Sequence, residues 1–252
     1  MWYNIAMNII TSKANSLIKN TKKLHRKKYR TDSYLIEGWH LFEEALAAKA
    51  PLGKIFTLPE FSDRVQGLDQ VVFVSPEVLK ELSDAPSPQG VVAEVKLTKE
   101  TLPSRISGRW LFLEDVQDPG NVGTMVRTAD AAGFSGVLLS DKAADLYNMK
   151  TLRSMQGSHF HLPVSRVSVQ DALDWAKESG VSVWATTLSQ DSVDYRTLET
   201  AEDLLLVMGN EGQGISDLVA ERADIKVHIS MPGKAESLNV AVAAGIMMFS
   251  LI

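Results

Sequence analysis

The sequence predicts an α/β protein in two parts: a small α/β domain, then a larger α/β domain built on a parallel sheet. Three observations support this prediction. Short apolar runs of strand length alternate with segments of helical periodicity along most of the chain. A polar stretch without apolar periodicity interrupts this alternation at residues 98–108. The last two apolar runs, Leu204 to Met208 and Ile225 to Ile229, end abruptly in loops that contain Gly or Pro.

The first domain is predicted to span residues 1–98, and residues 99–108 are predicted to be a linker. Its opening helix, residues 13–29, carries Leu17, Ile18 and Leu24 on an otherwise basic segment. Pro76 opens a short helix, because proline is favoured in the first helical turn. The remaining predicted elements are the strand Tyr34–Glu37, the helix Trp39–Lys49, the strands Lys54–Leu58 and Val71–Val74, the helix Pro76–Ser83 and the strand Val91–Leu97.

The second domain is predicted to span residues 109–252. Strands alternate with helices throughout it, and repeated units of this kind form a mostly parallel sheet. The predicted strands are Trp110–Asp115, Val137–Leu139, Leu162–Val164, Val181–Thr187, Leu204–Met208 and Ile225–Ile229. The predicted helices are Val122–Ala132, Lys150–Gly157, Val169–Ser179, an amphipathic segment after Ser216, and Leu238–Ile252.

The composition limits the classes of function. The chain has no cysteine, which excludes disulfides, thiolate metal sites and a cysteine nucleophile and favours a cytoplasmic protein. Its five histidines are not paired at ligand spacing, so we expect no metal. The apolar segment Leu238–Ile252 has fifteen residues, fewer than the roughly 20 that span a bilayer, so it is interpreted as a buried helix rather than a membrane segment.

Positive charge is concentrated near the amino terminus. Eight of the 26 Lys and Arg residues lie between Thr11 and Arg30, where there is no Asp or Glu, and the rest of the chain has 18 basic against 31 acidic residues, a net of −13. Such a segment suggests contact with a polyanion, because neutralising phosphates releases counterions. A solvated helix face is the alternative. The residues predicted to bind RNA are Lys22, Lys23, Arg26, Lys27, Lys28 and Arg30.

The loops after the last strands are the predicted active site. In open α/β sheets, ligands bind at the carboxyl ends of strands. The loop sequence GNEGQG is not the dinucleotide fingerprint G-x-G-x-x-G, and no G-x-x-x-x-G-K-[ST] occurs, which disfavours a Rossmann dehydrogenase and a P-loop NTPase. Whatever binds does so through the last three loops.

Three ordered motifs resemble those of a known family. DPGNVGTMVRTADAAGF, LLLVMGNEGQGIS and VHISMPGKAESLNVAVAAGI look like the motifs of the SpoU-type RNA ribose 2′-O-methyltransferases of the SPOUT superfamily. The segments KKLHRKKYRTDSYLIEGWHLFEEAL and SPQGVVAEV resemble the L30-like RNA-binding domain that precedes the catalytic domain in many members. The resemblance therefore spans nearly the whole chain.

The resemblance implies a fold, a cofactor and an assembly. The family's catalytic domain is a parallel α/β sheet whose C-terminal segment forms a deep trefoil knot, an exception to unknotted connections. The knot binds S-adenosyl-L-methionine (AdoMet), and the enzymes are homodimers. Ala241 and Gly245, four residues apart, would let the last helix approach another helix closely at a dimer interface.

By similarity to the family, five residues gather around the reacting ribose: Asn121, Arg127, Glu211, Ser237 and Asn239. A guanidinium stays protonated at ordinary pH, so we interpret Arg127 as an anchor for phosphate or ribose rather than as the base, with Glu211 positioning Asn121 and Arg127. Without the family pattern, simpler roles are open: an N-cap for Asn121, an ion pair for Arg127 and a turn position for Glu211.

The resemblance also implies a set of cofactor contacts. Glycines allow positive φ and close approach of a ligand, and apolar side chains would sandwich the adenine while backbone groups read its edge. The residues predicted to bind AdoMet are Thr186, Gly209, Asn210, Gly212, Gly214, Ile229, Met231 and Leu238.

The predicted function is AdoMet-dependent 2′-O-methylation of RNA ribose, with ribosomal RNA as the favoured substrate. The small domain and its basic helix would dock structured RNA through phosphates and 2′-hydroxyls. Two alternatives are open: a methyltransferase acting on tRNA, and a non-catalytic RNA-binding protein that keeps the fold and the pocket.

Overall fold

The computed structural model describes residues 8–98 and 102–252, which form two compact units. The first unit contains the described residues up to 98 together with Tyr147–Arg153, and the second contains residues 102–146 and 154–252. Residues 99–101 of the predicted linker lie outside the described residues. Tyr147–Arg153 joins the first unit because the Tyr147 ring lies 4.3 Å from that of Tyr34 and Arg153 forms ion pairs with Glu37 and Asp84. The predicted division of the chain at a single linker does not place Tyr147–Arg153 in the first unit.

The first unit is a five-stranded mixed sheet with three α-helices. Its strands follow the order β1-β4-β3-β5-β2, in which β5 is antiparallel to both β2 and β3 and the other pairs are parallel. Phe42, Phe56 and Leu79 are among its fully buried side chains. The elements are β1 (Ile9–Ile10), α1 (Ser16–Lys23), β2 (Ser33–Glu37), α2 (Trp39–Ala47), β3 (Leu52–Thr57), β4 (Val71–Val74), α3 (Pro76–Leu82) and β5 (Val91–Lys96).

The basic helix is shorter than the sequence predicts. The single helix predicted for residues 13–29 is α1, which begins after the N-cap Asn15 and ends at Lys23, followed by a separate 3₁₀ turn at Lys27–Tyr29. A continuous helix would place Lys23 and Lys27 at the spacing i, i+4, where like charges repel. Between the two pieces, His25 Nε2 lies 2.9 Å from the carbonyl oxygen of Leu82, which fixes the chain against the end of α3.

The second unit is a seven-stranded parallel sheet with four α-helices and the end of a fifth, Met149–Met155, whose residues up to Arg153 belong to the first unit; this confirms the predicted parallel α/β architecture. The strand order is β10-β12-β9-β11-β6-β7-β8, and every neighbouring pair is parallel. The strands are β6 (Arg109–Leu113), β7 (Gly136–Leu139), β8 (Val164–Arg166), β9 (Ser182–Thr186), β10 (Val193–Asp194), β11 (Leu204–Met208) and β12 (Ile225–His228). The helices are α4 (Pro119–Ala131), α5 (Met149–Met155), α6 (Val169–Ser179), α7 (Asp217–Arg222) and α8 (Val240–Phe249).

The strand order brings distant loops together. All five residues of the central strand β11 are buried, as the uniformly apolar sequence predicts. Its neighbours are β6 and β9, and β12 pairs with β9. Because parallel strands end at the same edge of a sheet, the loops that follow β6, β9, β11 and β12 meet at one edge.

The helix α4 starts earlier than predicted, and Asn121 is not its N-cap. Asp118 is the N-cap: its Oδ1 accepts hydrogen bonds from the amides of Gly120 at 2.7 Å and Asn121 at 3.0 Å. Pro119 takes the first helical position, which suits its fixed φ. Asn121 therefore lies inside the first turn, and its side chain is available for other contacts.

The helix α8 packs on α4 of the same chain. Ala241 is buried, and a Cβ added to Gly245 would lie 3.8 Å from Thr128 of α4, so the close approach predicted for these two small residues is made within the chain. Val242 and Phe249 on α8 are more than half exposed. Among the helices of the described ranges, none combines the length and apolar character needed to cross a membrane.

A tight loop follows β11. The backbone amides and carbonyls of Asn210 and Gly214 form two reciprocal hydrogen bonds of 2.9 Å, which close the loop, and Gly214 has φ +71°. A Cβ at Gly209 would lie only 2.3 Å from the carbonyl carbon of Gly214. Gly209 is therefore required for close packing of the backbone, and Gly214 for its positive φ.

Gly209→Ala is expected to destabilise the protein by about 1–3 kcal/mol, because the new methyl group overlaps backbone atoms that cannot move aside without opening the loop. Urea unfolding measures the change. Gly212→Ala is the matched control, since its Cβ would meet only Asn210 Oδ1, at 3.7 Å, and should leave stability unchanged. Equal stability of the two variants would contradict this account of the loop.

Candidate active site

The Glu211 carboxylate is the centre of a hydrogen-bond network at the carboxyl edge of the parallel sheet. It accepts three hydrogen bonds of 3.1 Å, from Asn121 Nδ2 and from the backbone amides of Gln117 and Asp118. Burial raises the pKa of Glu211, but the hydrogen bonds from its own backbone, Asn121, Asp118 and Gln117 together lower this pKa by more. The net shift is downward, so the carboxylate stays ionised at neutral pH.

The network continues from Asn121 to Asn239. Asn121 Oδ1 accepts a hydrogen bond of 3.1 Å from Asn239 Nδ2. Asn239 is also the N-cap of α8, because its Oδ1 accepts from the amides of Ala241 at 2.9 Å and Val242 at 3.3 Å. One connected chain of side chains thus joins the start of α4, the loop after β11 and the start of α8.

Asn210 fixes the same loop from its other side. Its Nδ2 donates to the carbonyl oxygen of Asp115 at 2.8 Å, and its Oδ1 accepts from the amides of Gly212 at 2.9 Å and Gln213 at 3.0 Å. Asp115 has φ +55°, an uncommon conformation for a residue with a side chain. Its amide is held by Ser140 Oγ at 2.7 Å. The loops after β6 and β11 are therefore joined by backbone as well as side-chain groups.

Two of the predicted catalytic residues are not part of this network. Arg127 lies on α4, six residues after Asn121, and is exposed. Within residues 8–98 and 102–252 it has neither a hydrogen bond nor an ion pair, so the ion pair considered as its alternative role is not formed there. Ser237 is exposed and lines the neighbouring cavity.

A cavity of about 460 Å³ adjoins the network. Every residue predicted to contact the cofactor lines it, and so do Glu211 and Ser237. The predicted cofactor residues in its wall are Thr186, Gly209, Asn210, Gly212, Gly214, Ile229, Met231 and Leu238.

Several lining residues were missed by the sequence reasoning. The segment after β9 contributes Thr187, Leu188 and Ser189, and β12 contributes His228. Thr187, Leu188 and Ser189 could have been found from the sequence, because they lie at and just after the carboxyl end of the predicted strand Val181–Thr187, where ligands bind in open α/β sheets. The helix α8 contributes Val240, Ala243 and Met247, which its sequence presents only as apolar core.

The cavity fits AdoMet by its chemistry. Met208, Val227, Ile229 and Leu238 give it apolar walls at the ends of strands, where backbone amides and carbonyls are also present. A Cβ placed on Gly214 would meet no atom within 4 Å, so there is open space beside this loop backbone. An adenosine group needs both features, apolar surface for its base and polar backbone groups for its edge.

The predicted RNA-binding residues belong to the first unit and are mostly exposed. Lys22 is engaged by Glu81, which also lies 3.7 Å from Lys13. Lys23 donates to Asn20 at 2.9 Å, and the ammonium of Lys28 lies 5.0 Å from the ring centroid of Tyr29, so neither charge is neutralised. Arg26 and Lys27 are exposed, whereas Arg30 is half-buried.

No cluster of three or more His, Asp or Glu residues in the described part of the chain is arranged to hold a metal ion. His159 is buried, and burial followed by the charge of His161 lowers the pKa of His159 to about 4. His161 Nδ1 lies 2.8 Å from Asp130 Oδ2. These histidines are bound to protein groups in the second unit.

Two family profiles match the chain. The SpoU rRNA methylase family matches residues 109–249, and the MRM3-like substrate binding domain matches residues 15–93. The first match covers more than half of the chain and includes the whole hydrogen-bond network.

Similar proteins agree with these matches. The chain is 41% identical over 250 residues to the 23S rRNA (guanosine(2553)-2′-O)-methyltransferase RlmP of Bacillus subtilis, covering 97% of this chain and 99% of that one. The AdoMet-bound rRNA methyltransferase of Sinorhizobium meliloti superposes with a TM-score of 0.89 at 32% identity, over 97% of both chains. The SpoU methyltransferase AviRb of Streptomyces viridochromogenes, in complex with AdoMet, has a TM-score of 0.84 at 26% identity, over 94% of this chain and 97% of that one.

These findings confirm the predicted family and the predicted class of enzyme, an AdoMet-dependent RNA 2′-O-methyltransferase. They agree with the geometry, in which the three sequence motifs meet beside one cavity. The chain belongs to the SpoU rRNA methylase family.

Proposed function

We propose that this chain methylates a ribose 2′-hydroxyl of 23S ribosomal RNA with AdoMet as the methyl donor. The observation that carries the proposal is the network of Glu211, Asn121 and Asn239 beside the cavity. The choice of 23S RNA is supported by the named substrate of the B. subtilis relative, which aligns over 97% of the chain.

The cofactor would be held by the loops after β9, β11 and β12, with Met231 and Leu238 against its apolar surface and the backbone of Gly209, Gly212 and Ile229 along its polar edge. When bound, AdoMet supplies an electrophilic methyl group. The chain's own task is to orient the acceptor ribose and to exclude water from it.

Glu211 acts as a positioning group rather than as a base. Three donors already occupy its oxygens, and its pKa is shifted downward, both of which make it a poor acceptor for a ribose proton. It fixes Asn121, whose amide oxygen is in turn fixed by Asn239. The amides of Asn121 and Asn239, together with the hydroxyl of Ser237, then present polar groups to the ribose side of the site.

Arg127 anchors the RNA. Its guanidinium is exposed, has no partner within the described ranges, and offers a planar set of donors that matches a phosphate or a pair of ribose oxygens. Because a guanidinium is not deprotonated in proteins, its contribution is orientation and charge rather than proton removal.

The first unit would supply the wider contact with RNA. It matches a substrate-binding domain and is interpreted as the L30-like domain, and Lys23, Arg26, Lys27 and Lys28 present cations to the solvent. Lys22 contributes less, because Glu81 offsets its charge. Arg30 is kept in the proposed set beside them.

We propose four further features by similarity to the family: a knot, a homodimer, the division into two domains and the cellular location. A trefoil knot would be formed by the C-terminal segment, and the packing of α8 on α4 supports it. A homodimer through α8 is supported by the exposed Val242, Phe249 and Ile252. We also propose division at residues 99–108 into the two domains 1–98 and 109–252, and a cytoplasmic location, where ribosomal RNA is modified.

Transfer of labelled methyl groups from AdoMet to RNA tests the proposed function. The wild-type protein should label 23S rRNA at a 2′-O position, detected as a linkage that resists alkaline cleavage. Arg127→Ala should reduce this transfer by at least about a hundredfold, because the RNA loses an anchor that orients the hydroxyl. The dissociation constant for AdoMet, measured by calorimetry, should stay the same.

Arg105→Ala is the matched control, since Arg105 is also exposed and precedes β6, whereas the network lies after the carboxyl end of this strand. It should leave the transfer rate unchanged. Label in tRNA instead of rRNA would overturn the substrate assignment, and AdoMet binding without transfer to either pool would favour the non-catalytic alternative. Equal loss of transfer and of cofactor binding in Arg127→Ala would mean that Arg127 contacts the cofactor rather than the RNA.

Replacing Lys23, Arg26, Lys27 and Lys28 with Gln should weaken RNA binding and flatten its salt dependence, by about 0.7–0.9 in the log–log slope for each phosphate that the protein no longer neutralises. Filter binding across a salt series measures the slope. Lys22→Gln provides the comparison with Lys27→Gln, and should change the slope less because Lys22 is paired with Glu81. An unchanged slope in the fourfold variant would mean that this basic segment is a solvated surface that does not bind RNA.

A further inference from the structure

The segment between β9 and β10 forms one wall of the cavity without being part of the core. Residues 187–192 connect the two strands, and Thr187, Leu188 and Ser189 line the cavity. Leu188 is 67% exposed, so packing does not hold it in place. The position of this wall therefore depends on the polar bonds made by the rest of the segment.

Alternate residues at the end of β12 supply those bonds. Side chains two apart in a strand point to the same side, and those of Lys226 and His228 reach the segment 187–192, while Ser230, just after β12, reaches Asp194 of β10. Two of the bonds measure 2.6 Å and 2.9 Å, and the third is a shorter hydrogen bond. In order, the pairs are Lys226 with Asp191, His228 with Ser192, and Ser230 with Asp194.

The contact of Ser192 with Ser189 determines where the proton of His228 lies. Ser192 Oγ is 2.6 Å from the carbonyl oxygen of Ser189, which has no proton, so the hydroxyl proton of Ser192 lies in this bond. At its 2.9 Å contact with His228 Nδ1, Ser192 Oγ must then be the acceptor. His228 accordingly carries its proton on Nδ1.

The other ring nitrogen of His228 faces Ser230. Ser230 Oγ lies 3.4 Å from His228 Nε2 and donates its own proton to the carboxylate of Asp194. Hydrogen bonds from Arg196, then from Ser230, hold the pKa of Asp194 well below its usual range, so this carboxylate has no proton to return. Ser230 therefore offers Nε2 no proton, and the position of the Nδ1 proton is set by the bond with Ser192 alone.

Of the three pairs, the one made by His228 is best placed to hold the wall. Lys226 and Asp191 form an ion pair in which Asp191 is 63% exposed, and such pairs contribute little in water. His228 and Ser192 are both half-buried, and Ser192 passes the contact on to Ser189, a residue of the wall.

We propose that His228, which carries a proton on Nδ1, is a positioning residue of the AdoMet site, holding the segment 187–192 through Ser192. This inference rests on the proposed function, because it assigns the cavity to AdoMet. Although His228 lines the cavity, the proposal predicts that the loss of affinity comes from the His228–Ser192 bond, so that Ser192→Ala, outside the cavity wall, weakens cofactor binding as much as His228→Ala.

Calorimetry with AdoMet tests the proposal on the whole chain. His228→Ala and Ser192→Ala should each raise the dissociation constant by about five- to tenfold, the worth of one partly buried hydrogen bond. The double variant should be no worse than either single one, since both remove the same bond. His228→Asn should recover most of the affinity, because its amide can donate in place of Nδ1.

His161→Ala is the matched control: His161 is bonded to Asp130 in the same unit and does not line the cavity, so affinity should not change. Nitrogen-15 spectra of the imidazole ring should show a proton on Nδ1 of His228; an Nδ1 without a proton would overturn the proposal. So would multiplied losses in the double variant, or an AdoMet affinity in His228→Asn as low as in His228→Ala. Failure of the wild-type protein to bind AdoMet would instead contradict the proposed function itself.

Discussion

The Glu211 carboxylate is the interaction on which the rest of the site depends. It bonds to two backbone amides before α4 and to Asn121 within α4, and Asn121 bonds to the N-cap of α8. These groups come from segments separated by about ninety to one hundred and twenty residues in the chain. A neutral side chain could not serve all three donors, since only a carboxylate is acceptor-only on both oxygens. Loss of this charge would remove the three hydrogen bonds that hold these segments together.

The parallel sheet makes this meeting of loops possible. Its order places β11 between β6 and β9, with β12 beyond β9, so one edge collects the loop that carries Glu211, the turn that opens α4 and the walls of the cavity. In the proposed function, the same edge would provide backbone groups and apolar side chains for the cofactor, and the exposed Arg127 of α4 would bind the RNA. The His228–Ser192 bond connects β12 to the segment 187–192, which forms another wall of the cavity. The cavity and the hydrogen-bond network of Glu211 are thus built on the same edge of one sheet.

Local patterns made much of this predictable. The apolar runs of β11 and β12 and their glycine loops are visible in the sequence, and the three motifs contain Asn121, Glu211 and Asn239 and part of the cavity wall. Features set by distant partners were missed. The two-residue strands β1 and β10 exist only through pairing with β4 and β12. Asp118, not Asn121, is the N-cap of α4. Both residue types can cap a helix, and since they stand three apart the local sequence does not decide between them. The basic helix breaks after Lys23, and Tyr147–Arg153 joins the first unit through Tyr34 and Glu37.

A double-mutant cycle on Glu211 and Asn239 tests the central claim most directly, because both bond to Asn121 and the claim is that the three act as one unit. Single-turnover methyl transfer would be measured for Glu211→Ala, Asn239→Ala and the double variant, with unfolding curves to verify that each is folded. The account predicts that the double variant is no slower than the slower single variant, a coupling of about 1 kcal/mol or more. Losses that simply multiply would contradict it, since they would mean that the two residues act independently.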